Sequence, residues 1–162
     1  MLHYLYTYPE TIVDGDGIRY SIYLSGCSHR CKGCHNPESW NPKAGKPFTD
    51  DILNRIICEI NSNPLLDGVT FTGGDPFFNP DDFRIILEKV RKSTNMNIWC
   101  YTGYTIEEIK KDESRKDLLQ YIDVLVDGRF EESLYSPTLE FRGSSNQRIL
   151  DLKHQHTPNT TI

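Results

Sequence analysis

The chain lacks long apolar runs and any excess of basic charge, and each absence argues against a class of function. No stretch of its 162 residues approaches the roughly 20 apolar residues that a membrane helix needs, so we expect no membrane partner. The first nine residues lack the charged and apolar segments of a secretion signal, so we expect a cytoplasmic protein. Eighteen basic and twenty-three acidic residues give a net charge of −5, which argues against a nucleic-acid partner.

Internal repeats and low-complexity segments are also missing from the sequence, and its length suits one domain. We expect residues 1–153 to form this domain. Residues 154–162 are polar and include Pro158, so we expect them to form a disordered tail.

Five cysteines are present, and three of them, Cys27, Cys31 and Cys34, lie within eight residues. An odd count in a chain with no secretion signal argues against a disulfide framework. Thiolates this close in sequence can converge on one soft metal centre, and three of them leave one iron of a [4Fe–4S] cluster free for chemistry. Cys58 and Cys100 fall on the buried face of a predicted helix and inside a predicted strand, so we expect both to be core residues.

Two other metal centres fit the same segment. Cys31, Cys34 and His35 match the Cys-x-x-Cys-His pattern of haem attachment, although the missing export signal disfavours haem. Three cysteines with His29 or His35 could instead form a closed zinc site. A zinc-binding interaction module is therefore the alternative from a different functional class.

Runs of β-branched and aromatic residues alternate with amphipathic segments along the chain. This alternation predicts strands over 17–24, 67–72, 97–101, 122–126 and 148–152. It predicts helices over 52–61, 82–92, 106–111 and 116–121. Strands that alternate with helices indicate an α/β fold with a parallel sheet and right-handed crossovers.

Unusual residues follow the C-terminal ends of four predicted strands. They are Cys27, Gly73-Gly74-Asp75, Thr102-Gly103-Tyr104 and Asp127-Gly128-Arg129. Barrels and open α/β sheets assemble their active sites at this edge, whereas a structural zinc site needs no such convergence. Paired glycines let the backbone approach a ligand closely, and the Asp75 carboxylate can accept from an ammonium group.

The cysteine spacing and the following Cys34-His35-Asn36-Pro37 resemble the radical S-adenosylmethionine (SAM) enzymes. This resemblance implies a partial, open βα barrel and a [4Fe–4S] cluster whose fourth iron binds the amino and carboxylate groups of SAM. The implied cluster ligands are Cys27, Cys31 and Cys34, and Gly33, Cys34 and His35 would lie beside the cofactors. Thr72-Gly73-Gly74-Asp75-Pro76 resembles the Gly-Gly-Glu-Pro motif that holds the methionine end of SAM. Asp75 is one methylene shorter than the usual Glu, and a backbone carbonyl could make the contact to SAM instead of its side chain.

Two further segments narrow the resemblance to the glycyl-radical activating enzymes. Residues 14–19, Asp-Gly-Asp-Gly-Ile-Arg, resemble the entry motif of these enzymes, with Asp16 where Pro is common. Residues 126–130 and 141–148 resemble the activating enzymes of anaerobic ribonucleoside-triphosphate reductases. The resemblance implies that Asp127 and Arg129 hold the ribose or carboxylate of SAM or contact a partner.

The implied partners are the large subunit of the reductase and reduced flavodoxin, or a similar donor, as the source of electrons. In the implied reaction, reductive cleavage of SAM yields a 5′-deoxyadenosyl radical that takes a hydrogen atom from one glycine of the large subunit. Activases of pyruvate formate-lyase share the cysteine loop but are longer, and an activase of that type remains the alternative within the same class.

Overall fold

A computed structural model describes residues 1–153, and the predicted tail at 154–162 lies outside the described residues. The strands are β1 (His3–Thr11), β2 (Arg19–Leu24), β3 (Lys46–Pro47), β4 (Gly68–Gly73), β5 (Asn97–Tyr101), β6 (Val124–Asp127) and β7 (Arg148–Asp151). The α-helices are α1 (Asp50–Ser62), α2 (Pro80–Ser93), α3 (Ile106–Lys110) and α4 (Glu113–Leu118). Single turns of 3₁₀-helix cover Pro37–Trp40, Pro76–Phe78, Leu119–Tyr121 and Glu132–Leu134.

The seven strands form one mixed sheet in the order β3-β1-β2-β4-β5-β6-β7. Strands β2, β4, β5 and β6 are parallel, which confirms the predicted α/β class for the centre of the sheet. The prediction of a parallel sheet is wrong at both edges, because β1, β3 and β7 pair antiparallel with their neighbours. A parallel pair needs a long crossover, whereas among residues 128–147 only one 3₁₀ turn joins β6 to β7.

Strand β1 is the largest element that the sequence patterns did not predict. Its Pro9 argues against a strand interior, because proline cannot donate a backbone hydrogen bond to a neighbouring strand. The pairing of β1 with β2 shifts register between Tyr8 and Thr11, and this irregularity accommodates Pro9. Strand β1 thus extends the sheet beside β2 without a tight hairpin turn to signal the pairing.

The helices pack against one face of the sheet. Helix α1 begins after Thr49, whose hydroxyl accepts a hydrogen bond from the Ile52 backbone N–H, and α2 begins after Asn79, which caps it in the same way. The predicted apolar faces of both helices are buried against alternate residues of the strands, including Ile22, Phe71 and Ile98. Within residues 1–153, no helix is both long and apolar enough to cross a membrane.

Cys58 was predicted to be a core residue, and this prediction is wrong: its side chain is exposed on α1. The buried positions of the helix are Leu53, Ile56, Ile57 and Ile60. Cys58 follows Ile57 by one residue, which turns its side chain by about 100° toward solvent. Cys100 is buried, as predicted.

The face of the sheet opposite the helices is polar at its centre, where Arg19 of β2 is only 1% exposed. The guanidinium donates to Thr70 Oγ1 at 2.8 Å, to the Asp16 carbonyl at 2.7 Å and to the Asn97 carbonyl at 2.9 Å. It also lies 5.3 Å from the centre of the Trp99 ring. Burial lowers the pKa of Arg19 to about 10, and the hydrogen bonds offset the cost of burying its charge. Arg19 thereby holds the segment before β2 across this face.

Candidate functional site

The loops that follow β2, β4, β5 and β6 meet around one cavity of about 210 Å³. Its lining includes all three clustered cysteines and residues from each of the other loops: Cys27, Cys31, Cys34, Gly73, Gly74, Thr102, Gly103, Gly128 and Phe130. Because parallel strands end at the same edge of a sheet, residues distant in sequence converge here. The sequence prediction that these four loops share one edge is thus confirmed.

The cysteine loop is fixed to its neighbours through its backbone. The Gly26 N–H donates to the Ser39 carbonyl at 2.7 Å, and the Gly26 carbonyl accepts from the Asp75 N–H at 2.8 Å. The Cys34 N–H donates to the Cys31 carbonyl at 3.1 Å, which closes a turn that brings these two thiols to the same cavity.

The three thiols are partly buried. Burial raises the pKa of Cys27 and of Cys31, and backbone N–H groups near each sulfur act in the opposite direction. A partly buried thiolate is stabilised by adjacent positive charge, which metal ions supply. In residues 1–153, no three His, Cys, Asp or Glu side chains converge closely enough for one metal ion. In a [4Fe–4S] cluster each cysteine binds its own iron, so three thiols around one cavity suit a cluster.

Gly73 brings the backbone of the next loop against the cysteine loop. Its φ of +101° is unfavourable for residues with a side chain, and an added Cβ would lie 2.5 Å from the Leu24 carbonyl oxygen. An added Cβ at Gly74 would lie 2.7 Å from the Gly26 carbonyl oxygen. Both glycines therefore permit a close approach between the backbones of these two segments.

The Asp75 side chain is 1% exposed, and protein donors surround its carboxylate. Oδ1 accepts from the Phe77 N–H at 2.9 Å and from Thr102 Oγ1 at 2.9 Å. Oδ2 accepts from the Gly103 N–H at 3.0 Å and from His29 Nε2 at 2.5 Å. An ammonium group could reach this carboxylate only by displacing one of these donors.

Comparisons with known proteins agree with this arrangement of thiols. The family model described as a 4Fe-4S single cluster domain matches residues 13–150. An anaerobic ribonucleoside-triphosphate reductase-activating protein from Pasteurella multocida is 39% identical over 153 residues, which cover 91% of this chain and 96% of that protein. Proteins of the same name from Vibrio cholerae and Escherichia coli are 38% and 35% identical and are covered over 97% and 100% of their lengths.

The chain belongs to the anaerobic ribonucleoside-triphosphate reductase-activating protein family. The match to a 4Fe-4S domain supports an iron–sulfur cluster rather than haem or zinc. The other residues that the sequence predicted for the site do not all line the cavity.

Asp127 and Arg129 flank the cavity-lining Gly128, and both make protein contacts. Asp127 is fully buried, accepts from the Ile106 N–H at 2.8 Å and accepts two hydrogen bonds from Arg148 at 2.6 and 3.0 Å. Arg129 pairs with Glu108 at 3.1 Å, and this cation lowers the pKa of Glu108 to about 2. A direct contact of the Asp127 carboxylate with a ligand would require its pair with Arg148 to open, whereas the Arg129 side chain is 44% exposed.

His35 and Gly33 occupy different positions relative to the cavity. The His35 ring lines it and packs 5.2 Å from the Phe130 ring. Gly33 is exposed and faces the flexible Glu132 side chain, and its φ of +77° favours glycine at this position.

Arg142, Gln147 and Tyr101 also line the cavity, although we did not predict them as site residues. Among the described lining residues, Arg142 alone has a permanent charge. Its Nη1 donates to the Gln147 carbonyl at 2.8 Å, whereas its buried Nε has no protein partner. The only sequence feature that pointed to Arg142 and Gln147 was the similarity of segment 141–148 to the activating enzymes. That similarity does not assign a role to each residue.

A second cavity of about 310 Å³ adjoins the first and shares His35, Tyr101, Arg142 and Gly143 with it. Its remaining lining comes from the segment before β2 and from the loop between β6 and β7, and includes Val13, Tyr135, Pro137 and Phe141. The site thus continues from the thiols toward a rim that carries both apolar and polar side chains.

Proposed function

We propose that this chain activates an anaerobic ribonucleoside-triphosphate reductase by generating a glycyl radical on its large subunit. The observation that carries the proposal is that three thiols and the paired glycines of the next strand line one cavity. The names of the relatives favour a reductase as the target over pyruvate formate-lyase.

Cys27, Cys31 and Cys34 would hold the [4Fe–4S] cluster. When bound, the cluster would supply one electron that cleaves SAM to methionine and a 5′-deoxyadenosyl radical, which takes a hydrogen atom from the partner's glycine. Reduced flavodoxin or a similar donor would supply this electron. The polar sheet face, with helices confined to the opposite face, supports an open barrel of the radical SAM type.

The protein groups around the cavity would bind and orient SAM. The backbone at Gly73 and Gly74 lines the cavity with the three thiols and would hold the methionine end close to them. Arg142 lines the same cavity, and its guanidinium would pair with the SAM carboxylate, because a guanidinium forms charge-assisted hydrogen bonds with an anionic acceptor. Phe130 and Tyr101 would exclude water from the reacting atoms.

The partner's glycine segment would enter through the second cavity. This cavity joins the first at His35 and Tyr101, and Val13 on its rim is 67% exposed. The neighbouring Ile12 is 72% exposed, so the rim offers apolar surface to a partner. We expect solvent exchange of the backbone amides in 27–35 to slow when reductase is added, and unchanged exchange would contradict entry at this rim.

The test is anaerobic reconstitution with iron and sulfide, followed by incubation with SAM and dithionite. The account predicts a brown protein with about four irons per chain, and 5′-deoxyadenosine that forms only when the reductant is present. A colourless protein that binds one zinc ion and releases no 5′-deoxyadenosine would contradict it.

A further inference from the structure

His29 lies between two proposed cluster ligands, Cys27 and Cys31, and is buried by its contact with the neighbouring loop. Its Nε2 lies 2.5 Å from Asp75 Oδ2, and the two side chains are 5% and 1% exposed. A charge-assisted hydrogen bond shielded from water contributes more than one on the surface. This bridge joins two loops that are 46 residues apart in sequence.

The ring of His29 occupies a site shaped by a third loop. An added Cβ at Gly103 would lie 2.5 Å from His29 Cδ2, so the ring needs glycine at this position. The Tyr104 ring packs edge-on against it, with ring centres 4.6 Å apart. The Arg115 guanidinium lies 4.6 Å from the centre of the Tyr104 ring and donates to the Phe77 carbonyl at 2.9 Å. The ring is therefore held by contacts from the loops after β4 and β5.

The donors to Asp75 come from all three of these loops. Besides His29, they are the Phe77 N–H, the Thr102 hydroxyl and the Gly103 N–H. A carboxylate has about four favourable acceptor directions, so these four donors fill its capacity to accept hydrogen bonds. The side chain of Asp75 thus acts as a junction between loops that bear cluster and cofactor residues.

We propose that His29 is a positioning residue whose bridge to Asp75 holds the cysteine loop in its cluster-binding conformation before iron is bound. The bridge fixes the backbone between Cys27 and Cys31, and so limits the separation of their sulfur atoms. It also uses the Asp75 carboxylate for loop alignment, so contacts to the SAM ammonium fall to the backbone of this loop. This inference rests on the proposed function only for the identity of the cluster.

The first test uses the iron-free, reduced protein and hydrogen exchange followed by mass spectrometry. Replacing His29 with Ala should raise the exchange rates of the slowest amides in 27–35 by about tenfold, because tenfold corresponds to 1.4 kcal/mol and a hydrogen bond to a charged group contributes about that much or more. His29→Gln should restore most of the protection, since its amide nitrogen can donate to the carboxylate. Lys32→Ala is the matched control, because this side chain in the same loop is 90% exposed.

The second test measures iron release from the reconstituted protein to a chelator, which requires no SAM cleavage. Release should be faster in His29→Ala and in Asp75→Asn, and the double variant should be no faster than the more affected single variant. Asp75→Asn keeps the volume of the side chain and serves as the second variant if His29→Ala does not fold.

The proposal is overturned if exchange in 27–35 matches that of the wild type, or if His29→Gln is as defective as His29→Ala. Fully additive effects on iron release would overturn it too. A wild-type protein that takes up no cluster would contradict the proposed function instead, and the exchange experiment on iron-free protein would still decide the role of His29.

Discussion

Replacing Arg19 with Met should lower the free energy of unfolding of the iron-free protein by about 3 kcal/mol, because it leaves several buried acceptors unsatisfied at roughly 1–3 kcal/mol each and removes a buried charge that itself is costly. The substitution keeps an unbranched chain of similar length but removes every donor. The acceptors left behind are the Thr70 hydroxyl, the Asn97 side chain and the backbone carbonyls of Asp16, Val69 and Asn97.

The magnitude follows from two opposing effects. Hydrogen bonds to a charged group contribute about 1.5–3 kcal/mol each, but the desolvation of the guanidinium offsets part of their sum. This desolvation also lowers the pKa of Arg19 to about 10. For a chain of this size, about 3 kcal/mol corresponds to a decrease in Tm of roughly 6–12 °C.

The assay is urea denaturation of the reduced, iron-free protein, followed by circular dichroism. The control is Arg55→Met, because that side chain is 55% exposed on α1 and pairs with Glu59 at 3.5 Å. We expect the control to lose less than about 0.5 kcal/mol. If Arg19→Met loses no more than the control, the hydrogen-bond network at the polar face does not stabilise the fold as we infer.

Three further predictions concern the thiols, the cavity and a surface ion pair. Ala at any of the three proposed cluster ligands should abolish 5′-deoxyadenosine formation and reduce iron content, whereas Cys58→Ala and Cys100→Ala should retain both; loss in the latter pair with an intact fold would overturn the ligand assignment. Arg142→Gln should weaken the binding of SAM and of S-adenosylhomocysteine about tenfold in calorimetry, as expected for the loss of one charged hydrogen bond. Binding of 5′-methylthioadenosine should be unaffected, because this ligand has no carboxylate. Equal losses for all three ligands would contradict a contact between Arg142 and the carboxylate. Glu108→Gln should cost at most about 1 kcal/mol of unfolding free energy at pH 7, because its partner Arg129 is exposed. A depressed carboxyl pKa stabilises the fold above the unfolded value, so this difference should disappear as the pH falls from 4.5 toward about 2, and a difference that persists at pH 2 would refute the ion-pair explanation.

The sequence predicted the central strands and the edge where the loops meet, because both depend on local patterns. Apolar runs of strand length locate β2, β4, β5 and β6, and the periodicity of the helices places them between these strands. In a parallel sheet, this alternation already brings the residues after Leu24, Gly73 and Tyr101 to one edge. The cavity at this edge therefore follows from topology.

The strand pairing at the edges of the sheet could not be predicted from local sequence patterns. Strand β7 was predicted, but its antiparallel direction depends on the connection from β6, which has no α-helix. Strand β1 includes Pro9, and its register against β2 shifts between Tyr8 and Thr11, so the pairing depends on the partner strand as well as on the sequence of β1. The direction of β7 and the register of β1 both depend on pairing with strands that are distant in sequence.

Contacts between loops explain why the predicted roles of two site residues differ from their contacts in the structure. The motif around Asp75 suggested a carboxylate available to a ligand, but three of the four donors that surround it, from His29, Thr102 and Gly103, lie 27–46 positions away in sequence. Asp127 likewise pairs with Arg148 across neighbouring strands. Spacing patterns locate such residues but do not show which protein groups already contact them.

The most direct test of the central claim is electron paramagnetic resonance on the anaerobic reductase from the same source. The reductase would be incubated with the reconstituted chain, SAM and a strong reductant, and 5′-deoxyadenosine would be measured in the same sample. The account predicts a glycyl-radical doublet that disappears when the reductase glycine is changed to Ala. An intact cluster that yields neither the doublet nor 5′-deoxyadenosine would contradict the proposed activity.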